Sequence, residues 1–470
     1  MIRLRMTRLT LALSALALLA GCASFSPDGG FGRVEALAQE RVGAKPQRMT
    51  GAADMARLSQ EVERLLAAPL SADAAVQIAL INNRGLQARM AELGIVEAEL
   101  VQSLRPRNPG FSYGRFAQGD VREYERSFLF DLMWLITQPA RSEIEQRRFE
   151  RTQLEVAGEV LHLAQTTRQA WFAAVAAQEM VRRLEEAVTA ARAGAELAAR
   201  MAEVGNFSRL RQQREQLLYA ELAAELARAR LAAVRSRERL TRLLGLAGTQ
   251  RDYRLPDRLP PLPSAPLEEP ELIRQAMERR LDVRMARAEL EGLAKNLGLT
   301  RSTGLINVLE VGWLNSTATG APVKRGYEIE LRLPIFDWGQ ARTARAEALY
   351  TQAMHRVAEI AVNAQSEVAE AYAVYRAAYD LARHYRDEIL PLTERIAEES
   401  LLHYNGMLIG VWDLLADARE RVRGMQAANA ALRDFWSAET NLVMALDGKG
   451  AGGLALSGGA RLAGPAGKDH

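Results

Sequence analysis

The chain has 470 residues, of which 25% are charged and 48% hydrophobic, so it is long and apolar enough to bury large surfaces. Its formal net charge is +3, and three arginines within the first eight residues account for that excess. Bulk charge therefore gives no argument for nucleic-acid binding once the N-terminus is removed. The one cysteine in the chain excludes an intramolecular disulfide.

Residues 1–21 are expected to form a signal peptide of the lipoprotein type. The apolar run from Leu9 to Leu18 follows basic residues and precedes small ones, as in secretory signals. Leu19-Ala20-Gly21-Cys22 resembles the lipobox of bacterial lipoproteins, which implies a covalent lipid such as palmitate on Cys22 and no other cofactor. The sorting rule for these proteins places a chain with Ala23, rather than Asp, in the outer membrane. The alternative is an ordinary signal peptide with a chance cysteine.

Residues 22–69 are expected to form a lipid-anchored N-terminal arm, with a short amphipathic stretch from Met55 to Leu66. From Ser71 the composition changes to Ala, Glu, Arg, Leu and Gln, which are strong helix formers. Ser71 suits the N-cap of a first helix, which should run to about Leu104 because Pro106 prevents its continuation. No later run of about 18 apolar residues occurs, so a membrane crossing would have to use strands.

A second helix is expected from about Pro139 to Val204. At 1.5 Å per residue it would span on the order of 100 Å, and it is too polar to cross a membrane, which predicts coiled-coil packing. Gly205-Asn206 would form a turn, after which Phe207 to Leu244 returns antiparallel. Residues 70–252 would then form a first repeat of helix, β-hairpin, helix and helix.

The second half of the chain repeats this order. Prolines mark residues 253–270 as an extended linker, residues 271–447 form the second repeat, and the Gly/Ala-rich residues 448–470 are expected to be disordered. Gly406 lies 201 residues after Gly205, which indicates a duplication. The helices of this half are predicted at Glu271 to Leu299, at Gly339 to Tyr404, and from about Val411 to Leu446.

Alternation of apolar and polar residues predicts a strand pair in each half. Tyr124 to Ile136 and Tyr327 to Leu333 alternate, with partners expected at Gly110 to Gln118 and Leu305 to Asn315. Such strands suit a membrane, although soluble hairpins that cap a helical bundle are the alternative. Four strands cannot close a barrel, whereas three chains would supply twelve. The candidate girdle aromatics are Tyr124, Trp134, Trp313 and Tyr327.

Over about residues 70–447 the chain resembles the TolC-type outer-membrane efflux proteins. The likeness rests on the duplicated order and on three local patterns. These are Leu70 to Leu80 with Asn82-Asn83, the junction from Leu333 to Gly339, and Tyr404-Asn405-Gly406 leading to Asp413 to Ala418. The resemblance implies a mainly α fold with a small membrane β part. Long antiparallel coiled-coil hairpins and four strands per chain would close as a homotrimeric 12-stranded β-barrel and an α-helical tunnel.

The resemblance also implies a function. The chain would be the outer-membrane channel of a tripartite efflux system in a Gram-negative bacterium, working with a periplasmic membrane-fusion adaptor and an inner-membrane pump of RND or ABC type. The sequence contains no phosphate-binding loop, nucleophile elbow or histidine metal motif, so it does not predict an enzyme or a metal site. The alternative is a periplasmic, lipid-anchored coiled-coil scaffold or adaptor without a barrel. The exported substrate stays open between drugs, metal ions and other cargo.

The resemblance places adaptor docking at the two turns between the long helices. Val204-Gly205-Asn206 resembles the docking turn of the family, and Asn405-Gly406-Met407 is its counterpart without the valine. The family pattern has an aspartate six residues after the turn glycine, whereas Asp413 lies seven residues after Gly406.

Asp413 and Asp417 lie four residues apart, so they share a helix face. If that face lined the pore, three copies would form carboxylate rings that favour cations. The alternative is a solvated outer face on which the two aspartates pair with Arg419 or Arg421. Tyr404, with Arg421 or Arg423, is a further candidate for gating hydrogen bonds.

Overall fold

The computed structural model describes residues 25–267, 272–303, 309–331 and 335–448. The signal peptide, Cys22 and the tail beyond residue 448 lie outside the described residues. The chain divides into two compact units. The first comprises Met1–Leu37, Ala88–Ala157 and Leu281–Val362, and the second comprises Ala38–Gln87, Gly158–Arg280 and Asn363–His470.

Helices dominate the described chain. They are α1 (Gly32–Val42), α2 (Ala52–Leu66), α3 (Ala72–Asn82), α4 (Arg84–Leu104), α5 (Leu132–Glu203), α6 (Arg209–Leu244), α7 (Leu272–Arg279), α8 (Leu281–Ser302), α9 (Gln340–His384), α10 (Leu390–Asn405) and α11 (Val411–Asp447). The strands are β1 (Gly110–Gln118), β2 (Val121–Asp131), β3 (Leu309–Ala318) and β4 (Lys324–Leu331). A 3-10 turn covers Gly248–Arg251, and a π-helical segment, Tyr385–Ile389, joins α9 to α10.

The first unit contains one four-stranded antiparallel sheet in the order β1-β2-β3-β4. Phe111 lies opposite Phe128, which lies opposite Trp313, which in turn lies opposite Tyr327. The ring centroids of Phe111 and Phe128 are 4.9 Å apart, and those of Phe128 and Trp313 are 6.4 Å apart. The predicted pairs of strands are therefore confirmed, and an aromatic row crosses the sheet on one face.

The end of β2 corrects the predicted strand. Leu132, Trp134 and Ile136 were expected on it, but they lie on α5, which begins seven residues before Pro139. The Asp131 carboxylate accepts a hydrogen bond of 2.8 Å from the Trp134 N–H, which satisfies a free donor in the first turn of the helix. The cap at Asp131 starts the helix, and Pro139 is accommodated inside it. Trp134 is therefore not a strand residue.

Each predicted first helix is broken into two. Ser71 caps α3 as expected, since its hydroxyl accepts a hydrogen bond of 3.1 Å from the Ala74 N–H, but the helix ends at Asn82. Asn83 is extended, with ψ of 114°, and its side chain accepts from the Leu86 N–H at 3.0 Å and donates to the Leu243 carbonyl at 3.0 Å. These bonds cap α4 and hold the end of α6, so the continuous helix was a wrong prediction.

The corresponding break in the second half lies at Arg280, between α7 and α8. This side chain is only 2% exposed. Its guanidinium donates to the Ala445 carbonyl at 2.9 Å and to the Glu367 carboxylate at 2.7 Å. The predicted helix from Glu271 to Leu299 is therefore also divided, and a polar side chain at the break again binds the end of a returning helix.

The long second helix of the second half is interrupted by the π-helical segment. The Leu390 N–H donates to the Tyr385 carbonyl, which is the i to i−5 bond of a π turn. Pro391, the next residue, has no N–H to continue the regular α-helical pattern. The prediction of one regular helix from Gly339 to Tyr404 is therefore wrong, and α10 instead ends at Asn405.

The proline-rich segment after α6 is packed into the second unit. Tyr253, Leu255 and Leu259 are buried in a core shared with helix residues such as Trp171, whose Nε1 donates to the Leu70 carbonyl at 2.7 Å. The Tyr379 hydroxyl donates to the Ser264 carbonyl at 3.0 Å. The described residues 253–267 form no helix or strand, and part of the segment is buried in the core.

The N-terminal arm contains a helix that the sequence reading missed. Only a stretch from Met55 was expected to be helical, whereas α1 precedes it and α2 begins at Ala52. Asp28 caps the entry to α1, because its carboxylate accepts from the Gly32 N–H at 2.7 Å. These backbone hydrogen bonds lower the pKa of Asp28.

Candidate functional site

The turn between α5 and α6 is a helix end closed by two backbone hydrogen bonds. The Asn206 N–H donates to the Met201 carbonyl at 2.9 Å, and the Gly205 N–H donates to the Ala202 carbonyl at 3.1 Å. This is the Schellman arrangement, and it requires a left-handed residue, which Gly205 provides with φ of 81°. The turn lies at the predicted position.

The turn between α10 and α11 has the same two bonds but a different left-handed residue. The Leu408 N–H donates to the His403 carbonyl at 2.8 Å, and the Met407 N–H donates to the Tyr404 carbonyl at 3.0 Å. Met407 has φ of 60°, whereas Gly406 has φ of −78°. Met407 therefore takes the place that Gly205 has in the first turn, and the expected pairing of Gly406 with Gly205 is corrected.

This correction changes the spacing of the repeat at the turns. Gly205 and Met407 lie 202 residues apart, and the N-caps Ser208 and Gly410 are separated by the same interval. Asp413 lies six residues after Met407, so the spacing that the family pattern implies is recovered when it is counted from the left-handed residue.

The two helix turns contact each other in the second unit. Phe207 stacks on Trp412 with 4.2 Å between ring centroids and 29° between ring planes. Further along the same helices, the buried Glu215 carboxylate accepts from Arg419 at 2.7 Å. One aromatic stack and one ion pair thus hold the starts of α6 and α11 together.

Large apolar side chains are exposed around these turns. Met407 is 93% exposed and Leu408 74%, and Val204 and Leu210 are also exposed. We call these four residues the tip surface. A bulky residue at positive φ costs on the order of 1–2 kcal/mol, and exposed apolar clusters mark interaction surfaces. The tip surface is therefore apolar and exposed in this chain.

Asp413 and Asp417 both have local hydrogen-bond partners. The Asp413 carboxylate accepts from the Gly410 N–H at 3.1 Å, which is one half of a capping box, and Gly410 has no side chain to form the other half. Asp417 accepts a hydrogen bond from the Ser400 hydroxyl on α10. Asp413 thus stabilises the start of α11, and Asp417 links α11 to α10.

The arginines considered as partners of these aspartates bind glutamates instead. Arg419 pairs with Glu215, as described above, and Arg421 donates to Glu394 at 2.6 Å. Arg423 pairs with Glu420 at 3.2 Å along its own helix. The alternative in which Asp413 or Asp417 pairs with Arg419 or Arg421 is therefore not what the structure shows. Tyr404 is partly exposed, and its carbonyl closes the second turn.

The sheet of the first unit has two chemically different faces, which follow from its register. The aromatic face carries Phe111, Tyr113, Tyr124, Phe128, Phe130, Trp313, Tyr327, Ile329 and Leu331. The acidic face carries Glu123, Glu125, Asp131, Glu310, Glu328 and Glu330, together with Lys324, three serines and the apolar residues Phe116, Val121, Leu129 and Leu314. Three of the four candidate girdle residues lie on the aromatic face, and Trp134 is the exception.

No group of three or more His, Cys, Asp or Glu side chains in the described residues is arranged to hold a metal ion. A cavity of about 290 Å³ lies beside the π-helical segment, lined by Met180, Tyr385, Leu390 and Met425 among others.

No helix in the described parts of the chain is both long and apolar enough to span a membrane.

Two carboxyl groups of the second unit have raised pKa values. Burial raises the pKa of Asp447, and Arg41 opposes the shift with its guanidinium 3.0 Å from that carboxylate. Burial also raises the pKa of Glu439, and the charge of Arg168 opposes it. Both groups belong to α11 near its C-terminal end, so they bear on the stability of the helical packing.

No family model matches the chain. It is 28% identical over 282 residues to the cobalt-zinc-cadmium resistance protein CzcC of Cupriavidus metallidurans. That alignment covers 59% of this chain and 66% of the relative, which is just under two thirds of the relative's length.

Solved structures of channels have the same fold. CusC matches with a TM-score of 0.65 and 18% identity over 80% of this chain and 92% of its own. The outer-membrane channel OprN matches with a TM-score of 0.66 and 16% identity over 91% and 97%. The outer-membrane protein VceC of Vibrio cholerae matches with a TM-score of 0.65 and 15% identity over 84% and 96%. The resemblance to outer-membrane channels inferred from the sequence is thereby confirmed at the level of the fold.

Proposed function

We propose that this chain, which has the fold of the outer-membrane channels that its sequence resembles, forms the outer-membrane exit duct of an efflux system. The single observation that carries the proposal is the two-faced sheet, with an aromatic face and an acidic face, whose strand β2 leads directly into the long helix α5. An apolar outer face and a polar inner face are what a water-filled barrel in a lipid bilayer requires.

The proposed duct is a homotrimer. The sheet leaves β1 and β4 as edges, and open edges are not tolerated in lipid because their backbone groups have no partners. Joining β4 of one copy to β1 of the next would remove every edge and give a 12-stranded barrel. Strands of 8 to 11 residues have a length of roughly 27–37 Å, which suffices for a tilted crossing.

The helical hairpins would continue the duct into the periplasm. There the tip surface would bind a periplasmic membrane-fusion adaptor, and an inner-membrane pump of RND or ABC type would supply the energy for transport. The lipid expected on Cys22 would be a second anchor in the outer membrane. Asp413 and Asp417, both near the second tip, would line the entrance as carboxylate rings.

The charge of the acidic face suggests that cations pass most readily. Six carboxylates and one lysine on that face would project into the duct of each chain. Rings of acidic side chains favour cations in channels. The name of the related CzcC protein refers to resistance to cobalt, zinc and cadmium, which agrees with a cationic cargo for this duct.

Planar bilayers test the proposal. We expect detergent-purified trimers to give cation-selective conductance, and Glu123→Gln with Glu125→Gln and Glu328→Gln to reduce the selectivity, because each chain loses half of its acidic-face carboxylates. Glu63→Gln, at an exposed position of α2, is the matched control and should leave selectivity unchanged. A chain that is released from membranes by salt or by cleavage of its lipid anchor alone, and that gives no conductance, would instead be a lipid-anchored scaffold or adaptor.

A second set of variants tests the two parts of the proposal that do not depend on the sheet, namely the carboxylate rings and the lipid anchor. Asp413→Ala with Asp417→Ala should reduce cation selectivity if these residues ring the entrance. Cys22→Ser, with the signal peptide still cleaved, should impair assembly more than conductance, since the barrel would hold the protein in the membrane. Trimers that vanish from the outer membrane in this variant would show that the lipid is essential.

A further inference from the structure

Arginines lie on the aromatic face of the sheet, where acidic residues are absent from the described strands. All four are exposed, and together they oppose the net negative charge of the acidic face. The four arginines are Arg115, Arg122, Arg126 and Arg325. The two faces of one sheet thus carry opposite charge, which chance placement along alternating strands does not favour.

The arginines are confined to one end of the aromatic face. The row of Phe111, Phe128, Trp313 and Tyr327 contains no charge, and Phe130, Val311 and Ile329 form the next row toward the helices. On the other side of the uncharged row, toward the hairpin turns, come Arg126 and Arg325, then Arg115, and finally Arg122. We call these four residues the arginine belt.

Tyrosines accompany the belt. Tyr113 and Tyr124 have ring centroids 6.3 Å apart, and the Arg115 guanidinium carbon lies 5.9 Å from the centroid of the Tyr124 ring. Tyrosine is favoured at the level of lipid headgroups because its ring is apolar and its hydroxyl is polar. An apolar band followed by tyrosines and arginines is the profile expected where a bilayer core gives way to charged headgroups.

We propose that the arginine belt binds anionic, phosphate-bearing lipid headgroups in the leaflet on the side of the hairpin turns. The proposal rests on the proposed function, since it requires the aromatic face to contact lipid. A guanidinium presents a planar fork of donors that matches phosphate oxygens, and it is always charged. In a trimer twelve guanidinium groups would encircle the barrel, spread over three successive rows of the aromatic face.

The continuity of the belt with the apolar rows favours a lipid over another ligand. The same face that carries the arginines carries Trp313 and Tyr327 one row away, both exposed. A free phosphate would be served by the arginines alone, and an acidic protein would not need the adjacent apolar band. A lipid supplies both parts, with acyl chains on the apolar rows and a phosphate at the belt.

The experiment measures the quenching of Trp313 fluorescence by brominated lipids. Trimers are reconstituted in phosphatidylcholine with an increasing fraction of brominated phosphatidylglycerol, and the Trp313→Phe variant supplies the background. We expect the native chain to prefer the anionic lipid by about fivefold, which corresponds to one arginine–headgroup contact. Replacing all four belt arginines by glutamine should reduce the preference to near one.

Two matched controls separate charge from general damage. Lys324→Gln removes a neighbouring positive charge from the acidic face and should leave the preference unchanged. Replacing the four arginines by lysine keeps the charge and should retain most of the preference. If the glutamine variant forms no trimers, the salt dependence of the native chain replaces it as the test. We expect the preference for the anionic lipid measured in 50 mM salt to disappear in 1 M salt, and a preference that remains in 1 M salt contradicts the proposal.

The outcomes distinguish the two proposals. Quenching with no preference for the anionic lipid, or with a preference that survives the glutamine substitutions, overturns the arginine belt and leaves the duct intact. No quenching by the brominated lipid at any fraction, together with no conductance, overturns the duct itself. Competition by inorganic phosphate at millimolar concentration would show a free-phosphate site and would also overturn the lipid proposal.

Discussion

The two halves of the chain have the same order of elements, but they stabilise the break between their first two helices with different side chains. We call each of these breaks, at Asn83 and at Arg280, a joint. In the first half the neutral side chain of Asn83 donates to the Leu243 carbonyl. In the second half the charged and buried side chain of Arg280 donates to the Ala445 carbonyl. These two carbonyls lie 202 residues apart, the interval that also separates the two turns. What is common to the halves is thus the hydrogen bond to the returning helix, while the residue that makes it differs.

The largest difference between the halves is expected at these joints. Arg280→Met keeps the volume of the side chain but removes two hydrogen bonds from a charged donor, each of which contributes about 1.5–3 kcal/mol. We therefore expect a loss of roughly 3 kcal/mol in the free energy of unfolding. Denaturant unfolding of the purified protein in detergent measures it.

Asn83→Ala is the matched variant in the first half. It removes a helix cap and a bond between neutral groups, so we expect a loss of about 1–2 kcal/mol. Equal losses for the two variants would contradict the view that the second joint depends on charge.

At the two turns we expect smaller changes in the free energy of unfolding, and the changes have opposite sign in the two halves. No atom lies within 4 Å of a Cβ built on Gly205, so Gly205→Ala is penalised only by the positive φ, at about 1–2 kcal/mol. Met407→Gly relieves the same kind of strain and should raise stability by up to about 1 kcal/mol. Thermal unfolding of the two variants beside the native chain measures both shifts.

Met407→Gly also separates stability from docking. The substitution removes a side chain that is 93% exposed, so binding of the adaptor proposed above should weaken while the turn becomes more stable. Titration of the adaptor against native and variant protein measures this. Binding that is unaffected would remove Met407 from the tip surface as a functional residue.

The smallest effect is expected at Glu439, which depends on pH. Burial raises the pKa of Glu439. The corresponding residue of the first half, 202 positions earlier, is Arg237. Its guanidinium donates to the Tyr253 carbonyl and lies 4.2 Å from the centroid of the Tyr253 ring. A raised pKa in the folded state means that the stabilisation from protonated Glu439 is complete below the ordinary pKa of 4.5. It is lost as pH rises through the higher folded value.

Glu439→Gln removes this titration. The native chain should therefore lose stability relative to the variant as pH rises from 4 toward 8, and the two should converge at the acidic end. Melting temperatures measured across that range, with Glu63→Gln as an exposed control, decide the matter. A constant difference across the range would show that Glu439 does not titrate with a raised pKa.

Local signals in the sequence were sufficient for several parts of the fold. Ser71 is a capping residue before a helical run, Gly205-Asn206 is a turn dipeptide, and the strands alternate with a period of two. Each of these depends on residues within a few positions along the chain. The turn at Gly205 and the strand pairs could therefore be placed without any knowledge of tertiary contacts.

The features that the sequence could not give depend on distant partners or unusual residues. Asn83 and Arg280 end helices because carbonyls about 160 residues away accept their hydrogen bonds. Met407 is left-handed beside a glycine that is the more obvious choice for that conformation. At the second turn, the residue types alone therefore favoured Gly406 as the left-handed residue, one position before Met407.

The stacked rings of Phe207 and Trp412 make tryptophan fluorescence sensitive to the separation of the two turns. One ring follows the first turn and the other follows the second, with 4.2 Å between their centroids. Any motion that draws the two turns apart must unstack the indole and change its emission. In the proposed duct, opening at these two turns would therefore change the fluorescence of Trp412, one of the six tryptophans in the chain.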